Sequence, residues 1–337
     1  MKAIGFKTSL PINERESFIM FETPVPEPKG RDLLVKMKAI SVNPVDFKIR
    51  QNTAKDTVLE TPKVIGWDAV GTVEAIGEGV TFFKTGDEVY YAGDLTRSGS
   101  NAEYQLVDER IVGLKPSTLS YAEAAAMPLT ALTAWESLYD RLRINDQEDK
   151  GKSILIIGGA GGVGSIAIQL AKKISGLKVI ATASRAETKE WCKAMGADVV
   201  VNHQNLVAEV QAAGFKEIDF ILDFVDLNIY WDILAELIKP QGHIVSITGS
   251  ATPIALNKLK NKSVTFSWEL MYTRSMYQTD DMEKQHQILS ELANLLDDGV
   301  IKPTLTQTFN GFTVENLKEA HRLLESGKTI GKVVIEY

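Results

Sequence analysis

The sequence predicts a two-domain α/β protein in which a β-rich, turn-rich body precedes a parallel sheet covered by helices. Three observations carry this reading. The chain has 337 residues, enough for two domains of about 150 residues, each with its own core. Its first third consists of short apolar or alternating runs cut by glycine and proline, the pattern of strands joined by turns. From Lys152 onward, unbroken apolar runs alternate with stretches of helical periodicity, as in a parallel sheet buried on both faces.

The elements follow in order. DLLVKMKAISV (Asp32 to Val42), AVGTVEAIG (Ala69 to Gly77) and DEVYYAG (Asp87 to Gly93) read as strands, bounded or broken by Pro26, Pro28, Gly30, Gly71, Gly77, Gly79 and Gly86. Their spacing suggests a partly closed antiparallel body. Ser120, with Glu123 three residues on, forms a capping box that opens a helix, and Pro128 interrupts the pattern. SILIIGG is a strand ending in glycines, after which Val163, Ile166, Ala167, Leu170, Ala171 and Ile174 recur at helical spacing. KVIATAS, DVVV, IDFILDFV and HIVSITG continue the sheet, separated by helical stretches such as ETKEWCKAMGA and YWDILAELIKPQG. SVTFSW (Ser263 to Trp268) closes it; helices around Gln287 to Leu296 and Glu315 to Leu324 and a last strand, GKVVIEY, follow.

Composition narrows the function. Hydrophobic residues make up 44% and charged residues 24%, which excludes a disordered chain. Thirty-seven basic against 44 acidic residues give a net charge of −7, which argues against a nucleic-acid or anionic-membrane binder, since both need a basic face. The single cysteine, Cys192, allows no intramolecular disulfide and no metal site built on two thiolates. It lies in EWCKAM without a nearby histidine in sequence and reads as a packing residue. No run reaches the roughly 18 apolar residues of a membrane helix, and the opening MKAIGFKTSLPINERESF lacks the sustained apolar core of a signal peptide. A cytoplasmic protein is expected.

Gly159-Ala160-Gly161-Gly162-Val163-Gly164 fits the dinucleotide fingerprint G-x-G-x-x-G, placed between an apolar strand and an amphipathic helix. The first glycine permits the turn, the second lets the backbone approach a pyrophosphate, and the third lets helix and strand pack closely, while the helix N-terminus offers free N–H groups. NAD sites place an acidic residue about 20 residues on, at the end of the second strand. Here KVIAT ends in Ala183-Ser184-Arg185. No carboxylate stands there to repel a 2′-phosphate, and Ser184, Arg185 and Lys189 offer charge-assisted hydrogen bonds to one. Arg185 and Lys189 are otherwise solvated residues at a helix start. NADPH is favoured over NADH.

The run GKSILIIGGAGGVGSIAIQLAK, beginning at Gly151, closely resembles the signature of zinc-independent quinone oxidoreductases related to zeta-crystallin, a branch of the medium-chain dehydrogenase/reductase superfamily. SVNPVDFKIR, GWDAVGTVEAIGEGV, TGDEVYY, GSNAEYQLV and AHRLLESGKTIGKVVI resemble further landmarks in the same order, and the chain is most similar to zinc-type alcohol dehydrogenase-like proteins. The resemblance implies a GroES-like catalytic domain over residues 1–130, completed by 268–337, and a Rossmann domain over 131–267, with nicotinamide and substrate in the cleft between them. It also implies a homodimer that pairs edge strands of the Rossmann sheet, here Ser263 to Trp268.

The zinc-dependent members use cysteine and histidine ligands. Aligned by segment, those positions hold Asn43, Trp67 and a residue near Leu129, none of which replaces a thiolate or imidazole. His203, His243, His286 and His321 lie in different elements without ligand spacing, so no zinc is expected. Without that Lewis acid, acceptors that are already electrophilic remain, namely quinones and α,β-unsaturated carbonyls. By the resemblance, Asn43 faces the nicotinamide end and offers its amide to a substrate carbonyl. Lys48 falls at a proton-relay position, as stabiliser or proton source, or else is a solvated lysine. Trp67 either walls the pocket or is core, and Asp46 and Asp68 take structural roles. Thr133 matches a threonine beside the nicotinamide. His203 matches an aromatic near the 2′-phosphate, or is a surface residue. Thr248 lies at a strand's C-terminal edge, where such sheets place ligands, and Lys332 reaches toward the cofactor phosphates. Two other readings stay open: an NADPH-binding regulatory or structural protein with little turnover, and a zinc alcohol dehydrogenase.

Overall fold

The computed structural model describes residues 1–337. The chain divides into two compact units, Met1–Leu129 with Tyr272–Tyr337, and Thr130–Met271.

The first unit is built on the Asp32–Ser41 strand, ten residues buried along most of their length. One edge pairs antiparallel with Ala69–Ile76. The other edge is shared: Tyr104–Asp108 covers its first half and Lys332–Glu336 its second. The seven-stranded sheet continues through Glu88–Tyr91 to Val112–Leu114 on one side and to Leu305–Asn310 on the other. A three-stranded sheet of Ile19–Glu22, Lys2–Phe6 and Lys63–Val64 accompanies it. Register shifts between Leu34 and Val35 and between Met37 and Ala39 are bulges, which bend a strand and curl its sheet. Gly71 sits where the partner backbone comes closest: a Cβ there would lie 2.2 Å from Lys36 O.

The second unit is a six-stranded parallel sheet in the order Val199–Val201, Lys178–Thr182, Ser153–Ile157, Ile218–Asp223, Ile238–Ser246, Thr265–Trp268. The strand order reverses between Ser153–Ile157 and Ile218–Asp223, and open sheets of this kind bind ligands at such a switch point. Apolar residues of five strands and of helix Leu227–Leu237 share one core, including Leu155, Ile221, Trp231, Leu234 and Ile244. The helix Ala186–Met195 ends on Gly196, whose φ of 114° is the left-handed conformation that terminates helices.

Local details differ from the sequence reading in two places. Pro128 opens a new helix, Pro128–Trp135, because proline lacks only an N–H that a first turn leaves unbonded. That helix widens into a π-turn over Glu136–Arg141, which apolar periodicity does not signal. The fifth strand of the second unit begins at Ile238 rather than near His243. Ile218 pairs Ile238 while Phe220 pairs His243, so the polar Lys239–Gly242 segment loops out of the ladder. No helix of the protein is long and apolar enough to cross a membrane.

Candidate active site

The residues singled out by sequence fall in two places, one in each unit. In the second unit, Gly158 has φ of 87° and donates its N–H to Thr182 Oγ1 at 2.9 Å, which ties the turn to the neighbouring strand. A Cβ on Gly159 would lie 2.8 Å from Ala181 Cβ and 3.0 Å from Cys192 Sγ; one on Gly164 would lie 2.2 Å from Gly158 O. Both positions therefore exclude side chains. Gly161 is different: the nearest atom to its Cβ position is Gly158 O at 3.5 Å, so that side of the turn is open to a ligand. Helix Gly162–Lys173 starts here, and its first backbone bond is Ser165 N to Gly161 O at 2.9 Å. The amides of Gly162, Val163 and Gly164 thus form the donor end of the helix. Ser165 Oγ donates to Gly161 O at 2.7 Å and accepts from Trp191 Nε1 at 2.8 Å, bracing the turn from behind. Cys192 is fully buried and burial pushes its thiol up to about 12; it packs beneath the loop. This cradle fits a dinucleotide pyrophosphate.

The second strand ends at Thr182, opposite Val201 of the third, so Ser184, Arg185 and His203 follow at the same edge of the sheet. Ser184 and His203 are exposed, and Arg185 and Lys189 half-buried. Arg185 Nε lies 3.2 Å from Glu187 Oε1, and its backbone is held by Thr188, whose Oγ1 accepts from Arg185 N at 3.1 Å and donates to Arg185 O at 2.8 Å. Thr133 is buried in helix Pro128–Trp135. Thr248 Oγ1 accepts from Leu227 N at 3.1 Å and donates to Asp223 Oδ2 at 3.3 Å. Asp223 was not singled out by the sequence reading. It pairs opposite Ile157, immediately before the glycine turn, and also accepts from Ser246 Oγ at 2.9 Å and Val225 N at 3.1 Å. Burial pushes its carboxyl up despite these bonds. The visible signal is an acid at the end of an otherwise apolar strand, IDFILD.

The first unit holds a buried polar cluster. Asn43, Pro44 and Asp46 are a helix start, with proline in the first turn and an acid three residues past the cap; the helix is Pro44–Thr53. Asn43 N donates to Asp46 Oδ2 at 2.7 Å, and Asn43 Nδ2 donates to Asp68 Oδ2 at 2.9 Å. Lys332 Nζ donates to the same Asp68 oxygen at 2.9 Å and to Asn43 Oδ1. Asp68 Oδ1 accepts from Leu129 N at 2.7 Å. Trp67 is 1% exposed and its indole N–H donates to Asp94 O at 3.1 Å. Burial pushes Asp46 up to about 8, and its Oδ1 has no hydrogen-bond partner. Burial also raises Asp68, opposed by the Lys332 ammonium. The Tyr272 hydroxyl, another group the sequence did not flag, is buried without a hydrogen-bond partner. Burial raises it well above its ordinary value, and the charges of Asp46, Asp68 and Asp94 add to the effect.

Two side chains with expected roles are engaged within the first unit. The Lys332 ammonium is committed to Asn43 and Asp68. The Asn43 amide is spent on Asp68 and Lys332, so it is not a free donor for a substrate carbonyl. Lys48 is exposed on helix Pro44–Thr53.

The aligned ligand positions hold a carboxamide engaged by an ammonium, an indole bonded to a carbonyl, and an aliphatic side chain. His286 Nδ1 lies 2.6 Å from Val112 O, and His321 is buried with its ring 4.9 Å from that of Phe18. Nowhere do three His, Cys, Asp or Glu side chains come together to hold a metal ion. This donor set does not fit zinc.

Comparison with known proteins follows the same division. The alcohol dehydrogenase GroES-like domain profile matches residues 29–136, and the zinc-binding dehydrogenase profile matches 195–335. A zinc-type alcohol dehydrogenase-like protein of Staphylococcus aureus (strain MSSA476) is 48% identical over 99% of both chains. The 2-methylene-furan-3-one reductase of Solanum lycopersicum is 35% identical over 92% of this chain and 73% of its own. The crystal structure of Escherichia coli quinone oxidoreductase complexed with NADPH is similar over 100% of both chains, with a TM-score of 0.85 and 26% identity. The chain therefore belongs to the medium-chain dehydrogenase/reductase superfamily, within the branch of zinc-type alcohol dehydrogenase-like proteins and quinone oxidoreductases, and is an oxidoreductase.

Proposed function

We propose that the protein is an NADPH-dependent, metal-independent reductase that passes hydride to a carbonyl-conjugated double bond, with quinones as the second acceptor class. The observation that carries the cofactor choice is the end of the second strand, where Ser184 and Arg185 stand in place of a carboxylate. Ser184, Arg185, Lys189 and His203 would hold the 2′-phosphate, and the open face of Gly161 with the amides of Gly162 to Gly164 the pyrophosphate. Bound NADPH supplies the hydride. The chain supplies orientation and exclusion of water: Thr133 and Thr248 are assigned to the nicotinamide side, Trp67 to the pocket wall and Lys48 to proton supply. Asn43 acts through the cluster it anchors. A conjugated acceptor spreads the negative charge that arrives with hydride, so no Lewis acid is required of a donor set that offers none.

The reductase name of the tomato relative supports the conjugated carbonyl, and the bacterial quinone oxidoreductase with NADPH supports the quinone. NADPH oxidation, followed by absorbance with an α,β-unsaturated ketone and separately with an ortho-quinone, tests both. Each assay is run with and without chelator, and with NADH in parallel. Chelator-insensitive turnover preferring NADPH is expected. Tight NADPH binding without turnover would transfer the assignment to a regulatory or structural protein, and loss of activity with chelator would restore the zinc enzyme. The protein is further proposed to be a homodimer joined through Thr265–Trp268, the unpaired edge of the parallel sheet.

A further inference from the structure

Lys332 is 4% exposed, and its ammonium meets only oxygen: Asp68 Oδ2 at 2.9 Å, Asn43 Oδ1, and Val42 O at 3.4 Å. An ammonium has three N–H donors, and here each has an acceptor. A carboxylate, an amide oxygen and a backbone carbonyl gathered around one buried positive charge are the surroundings of a hard cation. We propose that the first unit carries a built-in ammonium centre. In this centre Lys332 occupies the cation position between Asn43 and Asp68, acts as the positioning residue for both, and keeps the site closed to metal ions.

Charge balance favours this arrangement. Asp68 is fully buried and takes two donors on Oδ2 and one on Oδ1, an acceptor load suited to a carboxylate. Asp46 is also buried, but its Oδ2 accepts from Asn43 N; the hydrogen bonds of the ammonium go to Asp68, Asn43 and Val42. Asn43 and Trp67 are two of the three positions to which the family resemblance assigns metal ligands. The chain brings a cation to that neighbourhood from a strand 289 residues downstream of Asn43. The centre is independent of which acceptor the enzyme reduces.

If the ammonium is the cation of this site, removing it leaves a vacancy that a soluble amine can refill. Lys332→Ala retains one carbon of the side chain, and propylammonium approximates the part removed. Lys332→Met fills the space without the charge. Thermal unfolding of the wild type and both variants is followed with propylammonium chloride, or with sodium chloride at equal ionic strength. Zinc content is measured by mass spectrometry after incubation with zinc and removal of loose metal. The wild type should hold no stoichiometric zinc and show the same midpoint in both salts. Lys332→Ala should melt roughly 10 °C lower, the scale for a buried carboxylate left without its partner. About half of that loss should return in propylammonium and none in sodium, while Lys332→Met should stay low in both. If the alanine variant is unfolded without amine, the readout is refolding from denaturant, expected only with propylammonium. Stoichiometric zinc in the wild type overturns the proposal. A Lys332→Met midpoint equal to wild type overturns it, as does an alanine variant that melts or fails to refold regardless of the amine.

Discussion

At the scale of single residues, the two halves of the candidate site differ in how far apart their partners lie along the chain. The glycine turn is largely local: Gly158 to Gly164 form one contiguous run between a strand and a helix, so spacing alone reveals them. The Asp68–Lys332 pair spans 264 residues, and no periodicity links the two. A lysine within IGKVVI is consistent with a phosphate role until the sheet carries it beside Asn43. Arg185 lies between these cases. Its position at the end of the second strand is legible, whereas its contact with Glu187 appears only in three dimensions. An ion pair of this kind contributes little stability, so exchanging it for the proposed 2′-phosphate contact would cost little. Arg185→Ala should raise the KM for NADPH on the order of tenfold, the effect of losing one charge-assisted contact, and leave that for NADH within twofold. Equal changes for both cofactors would remove Arg185 from the 2′-phosphate site.

Among elements, strands and helices with strong periodicity were legible from sequence, and those set by partners were not. Helix Val314–Glu325 is amphipathic in sequence, and it buries Leu317, Ala320 and His321. The histidine hides a titration that periodicity does not show. Both ring nitrogens lack hydrogen-bond partners, and burial, with Arg50 nearby, lowers its value from 6.5 to about 3. The sign follows from proton linkage. Below pH 6.5 the unfolded chain takes up a proton that the folded helix refuses, so stability present above pH 6.5 is lost as pH falls toward about 3. Between pH 7 and pH 5 the loss should be about 2 kcal/mol. His321→Leu, which keeps an apolar body against Phe18, should abolish most of that slope in urea midpoints measured at the two pH values. An unchanged slope would place the titration elsewhere.

For the whole molecule, the division into a β-rich unit and a parallel-sheet unit follows from the change of rhythm near Lys152. The return of the C-terminal segment to the first unit was expected only from the resemblance. The parallel sheet ends on Thr265–Trp268, with Trp268 48% and Leu270 47% exposed. Unprotected edges of this kind pair with other strands. Trp268→Lys should shift the mass measured by light scattering from dimer to monomer without lowering the unfolding midpoint. A wild-type monomer, or an unshifted variant, would refute pairing at this edge.

The Lys332–Glu336 strand also imposes an order on assembly. Thr130–Met271 is contiguous, so the parallel sheet has all its strands as soon as that stretch has been synthesised. The first unit cannot finish at that time. Its central strand is paired on one edge, Ile40 with Ala69, but its other edge at Ile40 and Ser41 stays open until Ile335 and Val334 emerge, and Asp68 has no counter-charge until Lys332 does. The first unit is therefore expected to wait on the ribosome with half an edge open and a carboxyl protonated or solvated. It would close only when the last strand arrives, after the second unit has taken shape.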